Sequence, residues 1–136
     1  MEIKDKLNKP CSEKQREDFI INNNYIKDYE IVETEEAFEA WGYTKQEEEE
    51  KERERVSHLK CTKRVLALML QQMGITYTRL KELIATNEQA QLEWELCVEL
   101  ERCNPLLDIM GAQLGITPEQ LDIMFKYANG EVDKLN

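Results

Sequence analysis

TKRVLALMLQQMGIT, residues 62–76, is the stretch that indicates most directly how this chain folds. Apolar side chains lie on most sides of a helix drawn through residues 63–73, which is typical of a helix at the centre of a bundle. Gly74 can adopt the left-handed conformation that ends a helix, and Thr76 can cap the next one. The stretch therefore predicts a central helix, a tight turn and a second helix. The apolar residues of the central helix are Val65, Leu66, Leu68, Met69, Leu70 and Met73.

The turn at residues 73–76 has a second copy near the end of the chain. Leu114-Gly115-Ile116-Thr117 repeats the pattern of Met73-Gly74-Ile75-Thr76. In each copy the isoleucine can pack on a leucine of the following helix as a hydrophobic staple. Two similar helical hairpins are therefore predicted. With the helix between them they should form a compact bundle over residues 62–129, followed by a tail at 130–136.

A long helix is predicted between the two hairpins, from Asn87 to Cys103. Thr86 and Gln89 have the spacing of a capping box at its start. Because successive helical positions advance by about 100°, one stripe should face the core, while Trp94 and Val98 lie on nearly the opposite side. These two residues either make a second core contact or face a partner. The predicted core stripe is Leu92, Leu96, Leu100 and Cys103.

The first half of the chain is predicted to be a helical arm over residues 12–61, preceded by a flexible terminus at residues 1–11. A short strand within residues 25–34 stays open, because apolar and polar residues alternate there. The predicted fold class is therefore all-α: a compact bundle of helical hairpins preceded by an arm with a charged helix. The arm's helix starts are Ser12 with Gln15, Thr34 before Ala37, Phe38 and Trp41, and Thr44 with Glu47, which opens the charged helix to about Leu59.

Charge and composition favour a cytoplasmic protein without membrane contact. Acidic residues outnumber basic ones by 28 to 18, for a net charge of −10. A uniform negative field repels nucleic acid and anionic membranes. No apolar run approaches the roughly 20 residues that span a bilayer, and the start at Met1 lacks a signal-peptide pattern. The four cysteines have no Cys-x-x-Cys spacing, which fits free thiols in a reducing compartment.

Patterns for catalysis or metal binding are not evident in the sequence. His58 is the only histidine, so no zinc-type ligand spacing exists. A Gly-rich phosphate loop and a nucleophile elbow are also missing. A thiol enzyme needs a base beside a cysteine, and although His58 lies three residues from Cys61, a surface histidine and a packed cysteine are the simpler interpretation. We predict no enzyme activity, no cofactor and no metal.

A helix-turn-helix DNA-binding protein is one alternative function. A small residue, a glycine four residues later and an apolar residue six further on let two helices cross closely. Gly111, Gly115 and Leu121 match this spacing, and Leu70, Gly74 and Leu80 match it less well. Only the first hairpin is basic, because residues 56–81 contain no acid. The candidate phosphate contacts are Lys60, Lys63, Arg64, Arg79 and Lys81.

Nucleic-acid mimicry is a second alternative. The carboxylates between Glu47 and Glu54 could imitate phosphates and inhibit a nucleic-acid-binding protein. A solvated helix face explains the same run of charge, so the run alone is weak support.

Protein contact is the preferred function, because apolar and aromatic residues remain that the predicted core does not clearly absorb. Tryptophan in particular is enriched where binding energy concentrates. A homo-oligomer stays open, although no sustained heptad seam supports one. The candidate contact residues are Trp41, Tyr43, Trp94 and Val98.

Two stretches carry a resemblance to known proteins: ETEEAFEAWGYT at residues 33–44 and RCNPLLDIMGAQLGITPEQLD at residues 102–122. Together they resemble small proteins encoded in the structural and tail gene modules of prophages from Firmicutes and related gut bacteria. No activity or functional residue is assigned to that group, so none is carried over. The resemblance implies a setting in phage particle assembly, with phage structural proteins as partners in the host cytoplasm and association with the virion left open.

Overall fold

The computed structural model describes residues 1–135, and within them the fold is mixed α and β. It contains seven α-helices, one π-helix and five strands in two antiparallel sheets. The predicted all-α fold is therefore wrong. The chain divides into two compact units, one from Met1 to Lys51 and one from Glu52 onward.

The first unit runs in the order β1 (Glu2–Asn8), α1 (Glu13–Ile20), a π-helix (Ile21–Ile26), β2 (Glu30–Glu33) and β3 (Ala37–Gly42), and ends in the first residues of α2 (Lys45–Ser57). Its sheet has the order β1-β3-β2, so β3 pairs antiparallel with both neighbours. Phe38 and Ala40 of β3 pack with Phe19 of α1 in the core of this unit. Residues 1–11 were predicted to be flexible, but most of them form strand β1. The strand left open within residues 25–34 is present as β2.

The segment around Phe38 was predicted to be a helix, but it is strand β3. The hydrogen bonding of Thr34 explains this wrong prediction. Its hydroxyl oxygen accepts a hydrogen bond from the Ala37 backbone N–H at 3.0 Å. A helix cap and a tight turn between strands both use this hydrogen bond from the backbone N–H three residues later. The turn forms here because an extended chain lets β3 pair with two strands while burying Phe38 and Ala40.

The second unit contains the end of α2 and then β4 (Lys60–Thr62), α3 (Lys63–Gln72), α4 (Tyr77–Ala85), α5 (Glu88–Leu96), β5 (Glu99–Glu101), α6 (Pro105–Leu114) and α7 (Pro118–Ala128). Strands β4 and β5 form a two-stranded antiparallel ribbon. The core is contributed by all five of these helices and by the ribbon. Its most buried side chains are Leu66, Met69, Leu80, Leu100, Leu107, Met124 and Phe125.

The two Gly-Ile-Thr turns form as predicted. Gly74 and Gly115 have φ angles of +86° and +78°, the left-handed region that ends a helix. Thr76 and Thr117 accept hydrogen bonds from the backbone three residues later and so cap α4 and α7. Both turns therefore reverse the chain by local chemistry, in the way that their sequence indicates.

The long helix predicted for residues 87–103 is wrong beyond Leu96. α5 is capped by Asn87, whose side chain accepts from Ala90 N–H, while Thr86 ends α4. After Leu96 the chain becomes extended and β5 pairs with β4, which buries Leu100 to 1% exposure. The predicted core stripe is broken as a result, and Leu96 is 77% exposed.

The charged helix is present as α2, and its side chains are almost all exposed or half-buried, as predicted; only Val56 is buried. At the start of α2, the Thr44 hydroxyl accepts a hydrogen bond from the Glu47 backbone N–H at 3.1 Å. Within residues 1–135, every helix is too short or too polar to cross a bilayer.

Candidate functional site

A groove in the second unit combines apolar and basic side chains from three helices. It encloses about 330 Å³ and is formed by α3, the start of α4 and α5. Three of its residues, Lys63, Arg64 and Trp94, were candidates from the sequence. We define the "Trp94 groove" by its lining residues: Lys63, Arg64, Ala67, Leu68, Gln71, Tyr77 and Trp94.

The floor of the Trp94 groove is apolar and partly open to solvent. Leu68 is 43% exposed and Tyr77 is 53% exposed. Trp94 is half-buried and packs against the core of the second unit. Its indole is therefore held in place by the core while part of it faces the groove, so the predicted second core contact of Trp94 is present.

The rim of the groove is positively charged. The Lys63 ammonium donates a hydrogen bond to the Trp94 backbone carbonyl at 2.5 Å and lies 5.7 Å from the centre of the indole ring. The Lys81 ammonium lies 5.6 Å from the centre of the Tyr77 ring. Among residues 1–135, no carboxylate forms an ion pair with Lys63, Arg64 or Lys81. These cations are thus available to an acidic ligand.

Of the five predicted nucleic-acid contacts, only Lys63 and Arg64 line the groove, and Lys81 borders it through its contact with the Tyr77 ring. The Lys60 ammonium is 3.9 Å from the Glu99 carboxylate across the β4–β5 ribbon. Arg79 is exposed on α4 and does not line the groove. The five basic candidates therefore do not all line one surface with the apolar floor.

The four predicted protein-contact residues are also divided. Val98 is 80% exposed between α5 and β5 but does not line the groove. Trp41 and Tyr43 belong to the first unit, where the Trp41 indole N–H donates to Glu39 at 3.3 Å. The Lys51 ammonium covers the Tyr43 ring at 3.9 Å from its centre. Only Trp94 of the four contributes to the groove.

Sequence reasoning missed Leu68 and Tyr77 as surface residues. Leu68 was assigned to a central helix, because apolar residues on most sides of α3 do not reveal which side stays open. Tyr77 and Lys81 are four residues apart on α4, and this spacing could have indicated their contact. No sequence signal joins Lys63 to Trp94, which are 31 residues apart.

Two of the six carboxylates between Glu47 and Glu54 in helix α2 are paired, and among residues 1–135 the other four, Glu48, Glu49, Glu50 and Glu54, form no ion pair. Glu47 accepts a hydrogen bond from the N-terminal ammonium, which lowers the pKa of Glu47. Arg55 pairs with Glu52 and with Glu131, each at 2.7 Å. The hydrogen bond from Arg55 lowers the pKa of both carboxyl groups and raises that of the guanidinium. These pairings engage Glu47 and Glu52 and leave the other four carboxylates of the row exposed.

One group of side chains in residues 1–135 has the composition of a metal site: His58, Glu101 and Cys103. Their potential ligand atoms all lie within 4.8 Å of one another, and His58 Nδ1 is 3.0 Å from Glu101 Oε1. The thiol–histidine pair weighed from the sequence involves a different cysteine. Cys61 is 6% exposed, and burial raises its pKa to about 12.

Comparisons with protein families, curated proteins and solved structures gave no significant match to this chain.

Proposed function

We propose that this protein is a noncatalytic binding protein whose Trp94 groove takes up an acidic, apolar segment of a partner protein. The observation that carries the proposal is an apolar floor beside unpaired cations in a chain of net charge −10. Apolar side chains of the partner would fill the floor, and its carboxylates would meet Lys63, Arg64 and Lys81. Complementary charge of this kind sets specificity and speeds association.

Trp94 is suited to be the main contact of such a surface. A tryptophan that is anchored on one side and open on the other gives a large contact area at small entropic cost. The Lys63 hydrogen bond to the Trp94 carbonyl fixes the backbone beneath the ring. The groove is therefore preorganised, which lowers the cost of binding.

A protein partner fits the groove better than duplex DNA does. Phosphate binding requires several cations directed at one backbone, but Lys60 is paired with Glu99 and Arg79 lies outside the groove. An apolar concave floor has no counterpart on the surface of a phosphate backbone.

The setting that we propose is phage particle assembly, with a phage structural protein as the partner. The resemblance of residues 33–44 and 102–122 to proteins of prophage structural modules supports this setting. Binding would then take place in the cytoplasm of the host cell or on the virion.

The direct test is selection of peptides from a random displayed library, followed by titration of the selected peptides. Replacing Trp41 by Phe makes Trp94 the only tryptophan, so its fluorescence reports on the groove. We expect the selected peptides to combine Asp or Glu with Leu or Phe. Leu68→Asp and Arg64→Glu should each weaken their binding by about tenfold or more, which is about 1.4 kcal/mol.

Matched controls separate the groove from general surface effects. Ile109 is 52% exposed on α6 outside the groove, so Ile109→Asp should leave affinity unchanged, as should Lys60→Glu. Equal losses in the controls would contradict the proposal. A salt-sensitive shift of duplex DNA that Lys63→Glu or Arg79→Glu abolishes would favour the DNA-binding alternative instead.

A further inference from the structure

We infer that His58, Glu101 and Cys103 form a binding site for one zinc ion in the second unit. The three side chains supply an imidazole nitrogen, a carboxylate oxygen and a sulfur, the donor atoms that zinc takes in proteins. The site is separate from the Trp94 groove and shares no residue with it. It does not depend on the function proposed for that groove.

The chain reversal around the β4–β5 ribbon brings these residues together. Glu101 lies in β5, opposite Lys60 of β4. Just beyond this pair, at the end of the ribbon, the Arg102 backbone N–H donates to the Leu59 carbonyl and the Cys103 N–H donates to the Ser57 carbonyl, both at 2.8 Å. Residues 57–60 and 101–103 are therefore fastened side by side through their backbones.

The distances between the ligand atoms are close to those that zinc requires. Zinc–ligand bonds of about 2.0–2.3 Å at tetrahedral angles put the ligand atoms roughly 3.3–3.6 Å apart. Here His58 Nδ1 and Glu101 Oε1 are 3.0 Å apart, and all three atoms lie within 4.8 Å. Side-chain rotations that move the ligand atoms by about 1 Å would complete the tetrahedral geometry. Such rotations are accessible because the side chain of His58 is 62% exposed and Cys103 is exposed.

The charges of the site also suit a divalent cation. A Cys103 thiolate and the Glu101 carboxylate together balance the two positive charges of zinc. Binding releases the thiol proton, places the His58 ring proton on Nε2 in place of Nδ1, and replaces the hydrogen bond between His58 and Glu101 by two bonds to the metal. Three protein ligands leave a fourth position of tetrahedral zinc for water.

Cobalt substitution tests the site directly, because a cobalt–thiolate bond gives a charge-transfer absorption band that oxygen and nitrogen ligands do not give. Tag-free, reduced full-length protein is titrated with Co²⁺ and then with Zn²⁺. We expect one equivalent of Co²⁺ to bind with this band and one equivalent of Zn²⁺ to remove it. Cys103→Ser should abolish the band.

Cys97 provides the matched control. Its sulfur lies 3.5 Å from the Glu93 carboxylate, but the only histidine of the chain is in the proposed site. Cys97→Ser should therefore keep the band and the affinity. Loss of an outer partner of a metal ligand costs about 10–100-fold in affinity, so His58→Gln, which loses a ligand itself, should lower affinity by more than about 100-fold.

Three results would overturn the inference: no charge-transfer band, loss of the band in Cys97→Ser, or unchanged affinity in His58→Gln. Circular dichroism of each variant is the check that it is folded. Since the exposed side chains of His58 and Cys103 make few contacts, both substitutions should preserve the fold.

Discussion

Arg102 Nε donates a hydrogen bond to Asp122 Oδ1 at 2.8 Å and thereby links the end of β5 to helix α7. The same guanidinium donates to Asp108 of α6 at 3.2 Å and to the Pro118 carbonyl at 3.1 Å. Arg102 is 7% exposed, so its charge is compensated by partners that converge from two helices. This arrangement ties the second Gly-Ile-Thr hairpin to the β4–β5 ribbon.

We expect Arg102→Met to lower the free energy of unfolding of the second unit by about 2–3 kcal/mol, because three hydrogen bonds of about 1 kcal/mol each are lost. Asp108 and Asp122 are about half-exposed and can be rehydrated, which keeps the loss below that of a fully buried pair. Urea unfolding followed by Trp94 fluorescence in a Trp41→Phe background measures it. Arg79→Met, on an exposed position of α4, is the control and should change stability little.

Gly111 gives a second prediction, because a methyl group added there would lie 3.0 Å from the Ile116 carbonyl oxygen and 3.1 Å from Leu121 Cδ1. Alanine normally stabilises a helix by about 1 kcal/mol relative to glycine. In this close crossing of α6 and α7, overpacking should outweigh that gain, so Gly111→Ala should destabilise the protein by about 1 kcal/mol.

The neighbouring Ala112 is exposed on the same helix and provides the comparison. There Ala112→Gly should also destabilise the second unit by about 1 kcal/mol, through helix propensity alone. The two substitutions, measured by the same urea unfolding, should therefore lower stability although they change the residue in opposite directions. A stabilising Gly111→Ala would contradict the close crossing.

The stability of the second unit should fall at acid pH through the carboxylates that Arg55 binds. The pKa values of Glu52 and Glu131 are lowered from 4.5 by hydrogen bonds from Arg55. A lowered folded-state pKa contributes stability above the unfolded pKa, and this contribution is lost as the pH falls through the folded pKa. The loss should therefore begin near pH 4.5 and grow below it.

Arg55→Met isolates this contribution from the general effect of protonating an acidic chain. Thermal unfolding between pH 7 and pH 3 should show a smaller acid dependence in Arg55→Met than in the wild type. Arg53→Met changes an exposed arginine of the same helix and should keep the wild-type profile. Identical profiles for the wild type and Arg55→Met would show that the pairs with Glu52 and Glu131 do not form in solution.

The cysteines should differ sharply in reactivity. The thiolate is the reactive form, and burial raises the pKa of Cys61 to about 12, whereas Cys103 is exposed. At pH 8 in the native protein, iodoacetamide should modify Cys103 first and leave Cys61 unmodified until the protein unfolds. Mass spectrometry of peptides from a time course measures both. Early modification of Cys61 would contradict its burial and would support a reactive pair of Cys61 and His58.

The limits of prediction from sequence are visible in Thr34. Its hydrogen bond to Ala37 was anticipated, but the same bond begins a helix or turns a hairpin, and the sequence nearby allows both. The choice depends on β1, which pairs with β3 from about thirty residues earlier in the chain. Leu100 was predicted to be buried in a long helix, and it is buried, but in strand β5, where it pairs with Cys61 of β4.

For the candidate sites too, the sequence indicated single residues and only the tertiary structure brought them together. Trp94, Lys63 and Arg64 were identified as residues of interest from their chemistry, but their common groove results from the packing of three helices. No metal site was predicted at His58, because it is the only histidine and the cysteines have no Cys-x-x-Cys spacing. Glu101 and Cys103 reach it only through the β4–β5 ribbon and the backbone hydrogen bonds beside it.

The sequence alone determined where helices begin and end at Ser12, Thr76, Gly115 and Thr117, because caps and left-handed turns depend on atoms only a few residues apart. Tertiary structure alone decided that residues 37–42 and 99–101 are strands, and which side of each helix stays open. Strand pairing and core packing join residues distant in the chain, so their energy outweighs local preferences that a sequence pattern can reveal.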